Sequence, residues 1–200
     1  MKSGYIYTIV FMFIVSAVFT FFLAGANEFL LPKIQENERL AERKSLLYVF
    51  NIDQNGTADE VFARFDANIK PATSGGIDLY TQVDAAGNVL GYAVPFSGAG
   101  LWGTIRGYLG VSADLQSVLG IVFTSQNETP GLGGRIEEPA YREQYRNLAI
   151  VAGQPLAYGE AGGGKLDAIT GATQTSNAVL KILNTLLSET VSKLEVMPGG

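Results

Sequence analysis

The stretch Ile77-Asp78-Leu79-Tyr80-Thr81-Gln82-Val83, Asp84-Ala85-Ala86-Gly87-Asn88, Val89-Leu90-Gly91-Tyr92-Ala93-Val94-Pro95-Phe96 decides the fold. Its outer parts carry a strand pattern and its middle is turn chemistry, so it predicts a β-hairpin with a longer loop. Working outward, Thr104 to Val111 and Val118 to Ser125 read as two more strands, joined by a turn through Ser112, Ala113 and Asp114. Pro139 to Arg146 reads as a short helix and Leu148 to Ala152 as a short apolar strand. From about Thr175 to Leu194, Val179, Ile182, Leu183, Leu186, Leu187 and Val191 fall on one side at helical spacing. Upstream, Asn55-Gly56-Thr57 is a turn before a short helix over Asp59 to Phe65. Strands come mostly in sequence with helices before and after. The fold class expected is therefore α+β, with an antiparallel sheet flanked by helices.

The N-terminal part is different in kind. Ser3 to Asn27 carries no charge, and Ile6 to Leu23 is apolar except for Thr8, Ser16 and Thr20. An apolar helix of about 20 residues spans the hydrocarbon core of a bilayer. The rival reading is a cleavable signal peptide, with Lys2 in its basic region and Ala24-Gly25-Ala26 at the cleavage site. The apolar run exceeds the about 7–15 residues of such a peptide, which favours a retained transmembrane anchor over residues 1–27. Pro32 is expected to end or bend that helix. Residues 28–50 then read as a connecting amphipathic helix, with Ile34, Leu40 and Leu47 on an apolar stripe.

Composition removes whole classes of chemistry. The 200 residues hold no cysteine and no histidine. Disulfides, thiol catalysis, His-based zinc sites and Ser-His-Asp triads are excluded. The net charge of −5 argues against a nucleic-acid partner. Chemistry is left to carboxylates, hydroxyls, Lys and Arg, or a cofactor, and no carboxylate pair stands out as an acid/base site.

Three glycine-rich stretches and the start of the last helix are candidate ligand loops. Gly98-Ala99-Gly100-Leu101-Trp102-Gly103 satisfies G-x-G-x-x-G, but a strand rather than a helix follows, which opposes a dinucleotide fold. Gly159 to Leu166 nearly fits a P-loop and fails because Leu166 stands where a hydroxyl is needed. Glu128-Thr129-Pro130-Gly131-Leu132-Gly133 follows a strand, with Pro and Gly placed as in a type II turn. It is either a plain loop or a turn whose N–H groups approach a ligand. Asp167-Ala168-Ile169-Thr170-Gly171-Ala172-Thr173-Gln174-Thr175-Ser176 opens the last helix. It is either a capped N-terminus or a phosphate site at the positive end of a helix. Arg135, Glu137, Glu138, Arg142, Glu143 and Arg146 read as a solvated mixed-charge face.

Asp-x-x-Thr-Gly-Ala-Thr-x-Thr-Ser, preceded by Glu-Thr-Pro-Gly-Leu-Gly, resembles the FMN-binding domain family. That family takes in the C-type subunit of the sodium-translocating NADH:quinone reductase and the G-type subunit of the Rnf electron-transfer complex. Gly-x-Gly-Leu-Trp at 98–102 resembles the quinone reductase branch. The resemblance implies an FMN-binding domain over residues 51–200, with FMN held covalently through a phosphoester on Thr173. It implies further cofactor contacts from Thr170, Gly171, Ala172, Thr175 and Ser176, from Glu128, Thr129, Leu132 and Gly133, and from Trp102 and Lys165. A separate Mg²⁺-dependent flavin transferase using FAD would attach the group. The protein expected is a single-pass subunit of the cell's inner membrane with its flavin domain on the periplasmic side. It would relay electrons among the other membrane subunits of a sodium-transporting NADH:quinone oxidoreductase and would not be catalytic alone. The G-type subunit of the Rnf ferredoxin:NAD complex and a non-redox membrane-anchored binding module are the alternatives.

Overall fold

The computed structural model describes residues 2–151, 153–159 and 166–194. The chain divides into two units, Met1–Ala41 and Glu42–Gly200.

The first unit is helical. It belongs to α1, Lys2–Val49, which runs through Pro32 instead of ending there. Proline removes one backbone donor and crowds the preceding turn, but the helix tolerates it here. Phe13, Phe21 and Phe29 are among many exposed apolar side chains along this stretch. By length and composition the helix can cross a membrane.

The second unit begins with the last turns of α1, where Leu46, Leu47 and Val49 are fully buried. Burying each leucine side chain contributes about 1.5–3 kcal/mol. A capping box then starts α2, Ala58–Asn68: Thr57 Oγ1 accepts from the Glu60 N–H, and Glu60 Oε2 accepts from the Thr57 N–H at 2.8 Å. Five strands follow: β1 Ile69–Ser74, β2 Ile77–Val83, β3 Val89–Ala99, β4 Thr104–Ser112 and β5 Val118–Ser125. They form one sheet in sequence order, each antiparallel to its neighbour. The hairpin expected over residues 77–96 is β2–β3, and Asp84 closes its loop by accepting from the Ala86 and Asn88 N–H groups. The G-x-G-x-x-G stretch lies at the β3–β4 connection, as strand-to-strand chemistry requires.

The sheet is covered on both faces. On one, Phe96, Ile105, Leu109, Ile121 and Phe123 form the main core with Tyr141 and with Val179 and Leu183 of α4, Thr173–Leu194. On the other, the end of α1 lies on a floor made by the paired glycines Gly110 and Gly120. A Cβ at Gly120 would stand 2.6 Å from the Val49 carbonyl oxygen, so the close approach of the helix needs glycine there.

Several expectations change. β1 carried no strand expectation. The apolar strand expected at Leu148–Ala152 is two isolated bridges, Ser117↔Ala149 and Val151↔Gln154. Asn147 at φ 58° and Gly153 at φ 77° turn the chain at either end, and Ala152 lies outside the described residues. The helix expected over 139–146 is α3, Pro139–Arg142, followed by a 3₁₀ turn, Glu143–Tyr145. The mixed-charge face is not simply solvated. The Arg142 and Arg146 guanidinium groups stack on the Tyr48 ring at 4.3 and 5.2 Å, and Arg146 also pairs with Glu143 at 2.8 Å. Burial and the hydrogen bond to Glu143 raise the Tyr48 phenol above its ordinary pKa; Arg146 holds the Glu143 carboxyl below its own.

Candidate functional site

Two loops and a helix start converge at one end of the main core. After β5 the chain turns at Thr129–Gly134, where the Thr129 carbonyl accepts from the Leu132 N–H at 3.1 Å and from the Gly134 N–H at 3.0 Å. A 3₁₀ turn over Gly133–Glu137 follows and buries Gly133 and Ile136. The second loop turns at Thr170-Gly171, with Gly171 at φ 83°, and enters α4. The two loops touch: a Cβ on Gly171 would meet Leu132 Cδ2 at 3.3 Å, and one on Gly133 would meet Thr175 Oγ1 at 2.5 Å. Only glycine lets the backbones approach so closely.

The hydroxyls of the last motif divide into two sets. Thr175 is buried and donates to Glu128 Oε2 at 2.5 Å. Ser176 is buried, and its Oγ accepts from the Ile169 N–H at 3.0 Å. Thr170 and Thr173 are exposed. Of these two, only Thr173 is inside α4, as its first residue. The first turn of a helix has N–H groups without intrahelical acceptors and carries the positive end of the dipole. An anion esterified to Thr173 would therefore meet donors with no rearrangement of the helix.

Glu128 joins these parts to the β3–β4 connection. It is 4 % exposed. Its Oε1 accepts from the Leu101 N–H at 2.9 Å and the Trp102 N–H at 3.1 Å. The side chains of Leu101, Trp102 and Leu132 are left 49 %, 70 % and 45 % exposed. Three large apolar groups in water around a helix terminus are a surface suited to a planar ring. A cleft of about 160 Å³ adjoins the same loop, lined by Arg135, Tyr141, Gln144, Asp167 and Thr170 among others. Its guanidinium, which pairs with Glu138 at 3.2 Å, is a positive group that sequence reading assigned to a solvated face.

Under the motif runs a chain of phenols. Tyr141 and Tyr145 share a hydrogen bond of 2.8 Å, Tyr141 and Tyr158 one of 2.6 Å, and the Tyr158 hydroxyl donates to the Ser176 carbonyl at 2.9 Å. Burial raises all three above the ordinary tyrosine value. Gln144 Oε1 accepts from the Asp167 N–H at 2.6 Å. Neither the phenols nor Gln144 carried a sequence signal, because nothing local says that residues 141–145 lie beneath residues 158–176.

The structure thus brings together Glu128, Leu132, Gly133, Gly171, Thr175 and the Trp102 backbone. Ala172 is buried at the head of α4, and Thr129 contributes its carbonyl to the turn. Lys165, with the rest of 160–165, lies outside the described residues.

Residues 100–188 match the family model described as FMN-binding domain, and both motifs lie within the match. A relative in Methanosarcina acetivorans, the G-type subunit of an ion-translocating oxidoreductase complex, is 35 % identical over 126 residues, covering 59 % of this chain and 65 % of its own. The C-type subunit of the Na(+)-translocating NADH-quinone reductase of Pasteurella multocida is 38 % identical over 109 residues, covering 51 % of this chain and 42 % of its own. The matched stretch thus spans less than two thirds of either relative's length. Among solved structures, the C-type subunit of the Na(+)-translocating NADH-quinone reductase from Parabacteroides distasonis superposes with a TM-score of 0.66 at 24 % identity, covering 84 % of this chain and 98 % of that one. Shewanella oneidensis NqrC gives 0.64 at 19 % identity, covering 72 % and 89 %. Residues 100–188 are thus similar to the FMN-binding domain, and the fold is the one these two solved subunits have.

Proposed function

We propose that this chain is a membrane-anchored electron-carrier subunit whose FMN is attached through a phosphoester to Thr173. The observation that carries this reading is the sorting of hydroxyls. Thr175 and Ser176 are buried and engaged, whereas Thr173 is exposed at the first position of α4, two residues from the Thr175 that Glu128 links to the Leu101 and Trp102 N–H groups. The residues fit the group. The first-turn N–H groups suit its phosphate, and the exposed apolar side chains suit its ring. When bound, FMN supplies the electron-transfer chemistry; the chain supplies attachment, orientation and shielding from water. Apolar α1 holds the domain at the bilayer, with the flavin on the extracytoplasmic side. A flavin transferase loads it, and the partners are the membrane subunits of an ion-translocating NADH:quinone reductase. Gly100-Leu101-Trp102 favours the C-type role there, with sodium as the transported ion. The Methanosarcina relative, 35 % identical over 126 residues, supports the G-type subunit of an Rnf-type complex as the second reading.

The test is the intact mass of the chain co-expressed with a flavin transferase. The wild type should gain one FMN less water, and Thr173→Val should not. Peptide mapping of that variant should find no flavin on Thr170 or Thr175. A wild type that stays unmodified while a control substrate is loaded refutes the covalent reading and leaves a non-redox binding module.

A further inference from the structure

Glu128 is a buried carboxylate with an unusual set of partners. Its two oxygens collect the N–H groups of Leu101 and Trp102 from the β3–β4 connection and the Thr175 hydroxyl from α4, at 2.9, 3.1 and 2.5 Å. Its own N–H donates to Gln126 Oε1 at 2.5 Å. The cage around it has no spare room. A Cβ on Gly100 would collide with Oε1, and one on Gly133 would lie 3.0 Å from Oε2. A carboxylate only accepts hydrogen bonds, and here three donors from two separate segments share it.

The side chains this arrangement presents are apolar and exposed. The glycine-rich connection is closed on itself by a single backbone bond, Gly100 N–H to the Gly103 carbonyl at 2.7 Å. Among the described hydrogen bonds, only those of Glu128 tie Leu101 and Trp102 to α4. Holding the backbone of an exposed tryptophan costs chain entropy and gains no burial in the free protein. The cost makes sense when the indole is held ready for something that covers it.

We propose that Glu128 is the positioning residue of the cofactor site, joining the Leu101–Trp102 turn to the first turn of α4 so that Trp102 forms a wall of the pocket at Thr173. This rests on the flavin reading above. Glu128 acts through Trp102 and Thr175 and has no part in the electron transfer itself.

Trp102 is the only tryptophan in the chain, so its fluorescence reports the clamp directly. The experiment uses the full chain in detergent micelles, without flavin and after loading by the transferase. The variants are Glu128→Ala, Glu128→Gln and Thr175→Val. In the unloaded protein, Glu128→Ala should lose the Trp102 anisotropy of the wild type. Glu128→Gln should keep it, because the amide oxygen still accepts both N–H groups and the amide nitrogen can donate to Thr175 Oγ1. Thr175→Val should keep the anisotropy, since it cuts only the α4 arm. In the loaded protein, flavin should quench Trp102 in the wild type and in Glu128→Gln, and the emission should return in Glu128→Ala and Thr175→Val. Unchanged anisotropy and quenching in a folded Glu128→Ala overturns the proposal. So does a folded Glu128→Gln that behaves like the alanine variant, a result still decisive if Glu128→Ala does not fold. A wild type without flavin mass refutes the covalent reading instead, and the unloaded measurements then decide the clamp alone.

Discussion

The phenol chain beneath α4 makes an asymmetric prediction. Three hydroxyl protons must find acceptors among three oxygens and one carbonyl. The three phenol oxygens lie within hydrogen-bond distance of one another, Tyr145 and Tyr158 at 3.5 Å, and every proton is accepted when Tyr158 donates to the Ser176 carbonyl and Tyr141 and Tyr145 pass theirs on toward Tyr158. Tyr158→Phe removes the exit. Tyr141 and Tyr145, 4 % and 0 % exposed, then hold two protons and have only each other, so one is orphaned. A buried unsatisfied donor costs about 1–3 kcal/mol. Tyr145→Phe removes the start of the chain, and the two remaining protons keep their acceptors. Only one net hydrogen bond is lost, about 0.5–1.5 kcal/mol. Both changes delete one oxygen and leave the ring, so cavity terms are small in each. Tyr158→Phe should therefore be the more destabilising by about 1 kcal/mol, on the same scale. Urea unfolding of the full chain in micelles, followed by Trp102 emission, reads the difference as a shift in midpoint at unchanged slope. Equal midpoints, or a lower one for Tyr145→Phe, would refute the directional chain.

Two further predictions concern the rest of the domain. Burial raises the pKa of Tyr108, Tyr141, Tyr145 and Tyr158 above 10.0, so the unfolded chain loses those protons first as pH rises. Their stabilising contribution is complete below about pH 10 and is lost above it, so unfolding midpoints should fall on the alkaline side of that point; a midpoint that is level there would show that the phenols are accessible. Gly120→Ala places a methyl 2.6 Å from the Val49 carbonyl, a backbone atom that cannot rotate away. It should cost about 1–3 kcal/mol, more than Gly110→Ala, whose nearest neighbour is the Val49 side chain, and thermal unfolding of the two variants compares them.

Much of this fold was legible locally. β2 to β5 announce themselves because each faces a core and is bounded by turn residues, and α2 because Thr57 and Glu60 make a capping box. β1 did not, since Lys70-Pro71-Ala72-Thr73 buries none of its residues and only its ends, Ile69 and Ser74, are covered. Its signal was the Gly75-Gly76 pair, both at positive φ, which is hairpin-turn chemistry directly before β2. Arg142 and Arg146 read as solvated because charge alone does not reveal an aromatic ring delivered from α1.

The amino-acid order by itself pointed to the apolar N-terminal helix, an antiparallel sheet and the two motifs that resemble those of the FMN-binding domain family, since periodicity, turn chemistry and short motifs are properties of neighbours in the chain. It also named Thr173 as the residue to watch. Only the tertiary structure decided which hydroxyls are engaged and which are exposed, and that Glu128 meets Thr175 and the Leu101–Trp102 turn. Those facts depend on contacts such as Glu128 with Thr175, far apart along the chain, which form when the sheet and α4 bury a common core.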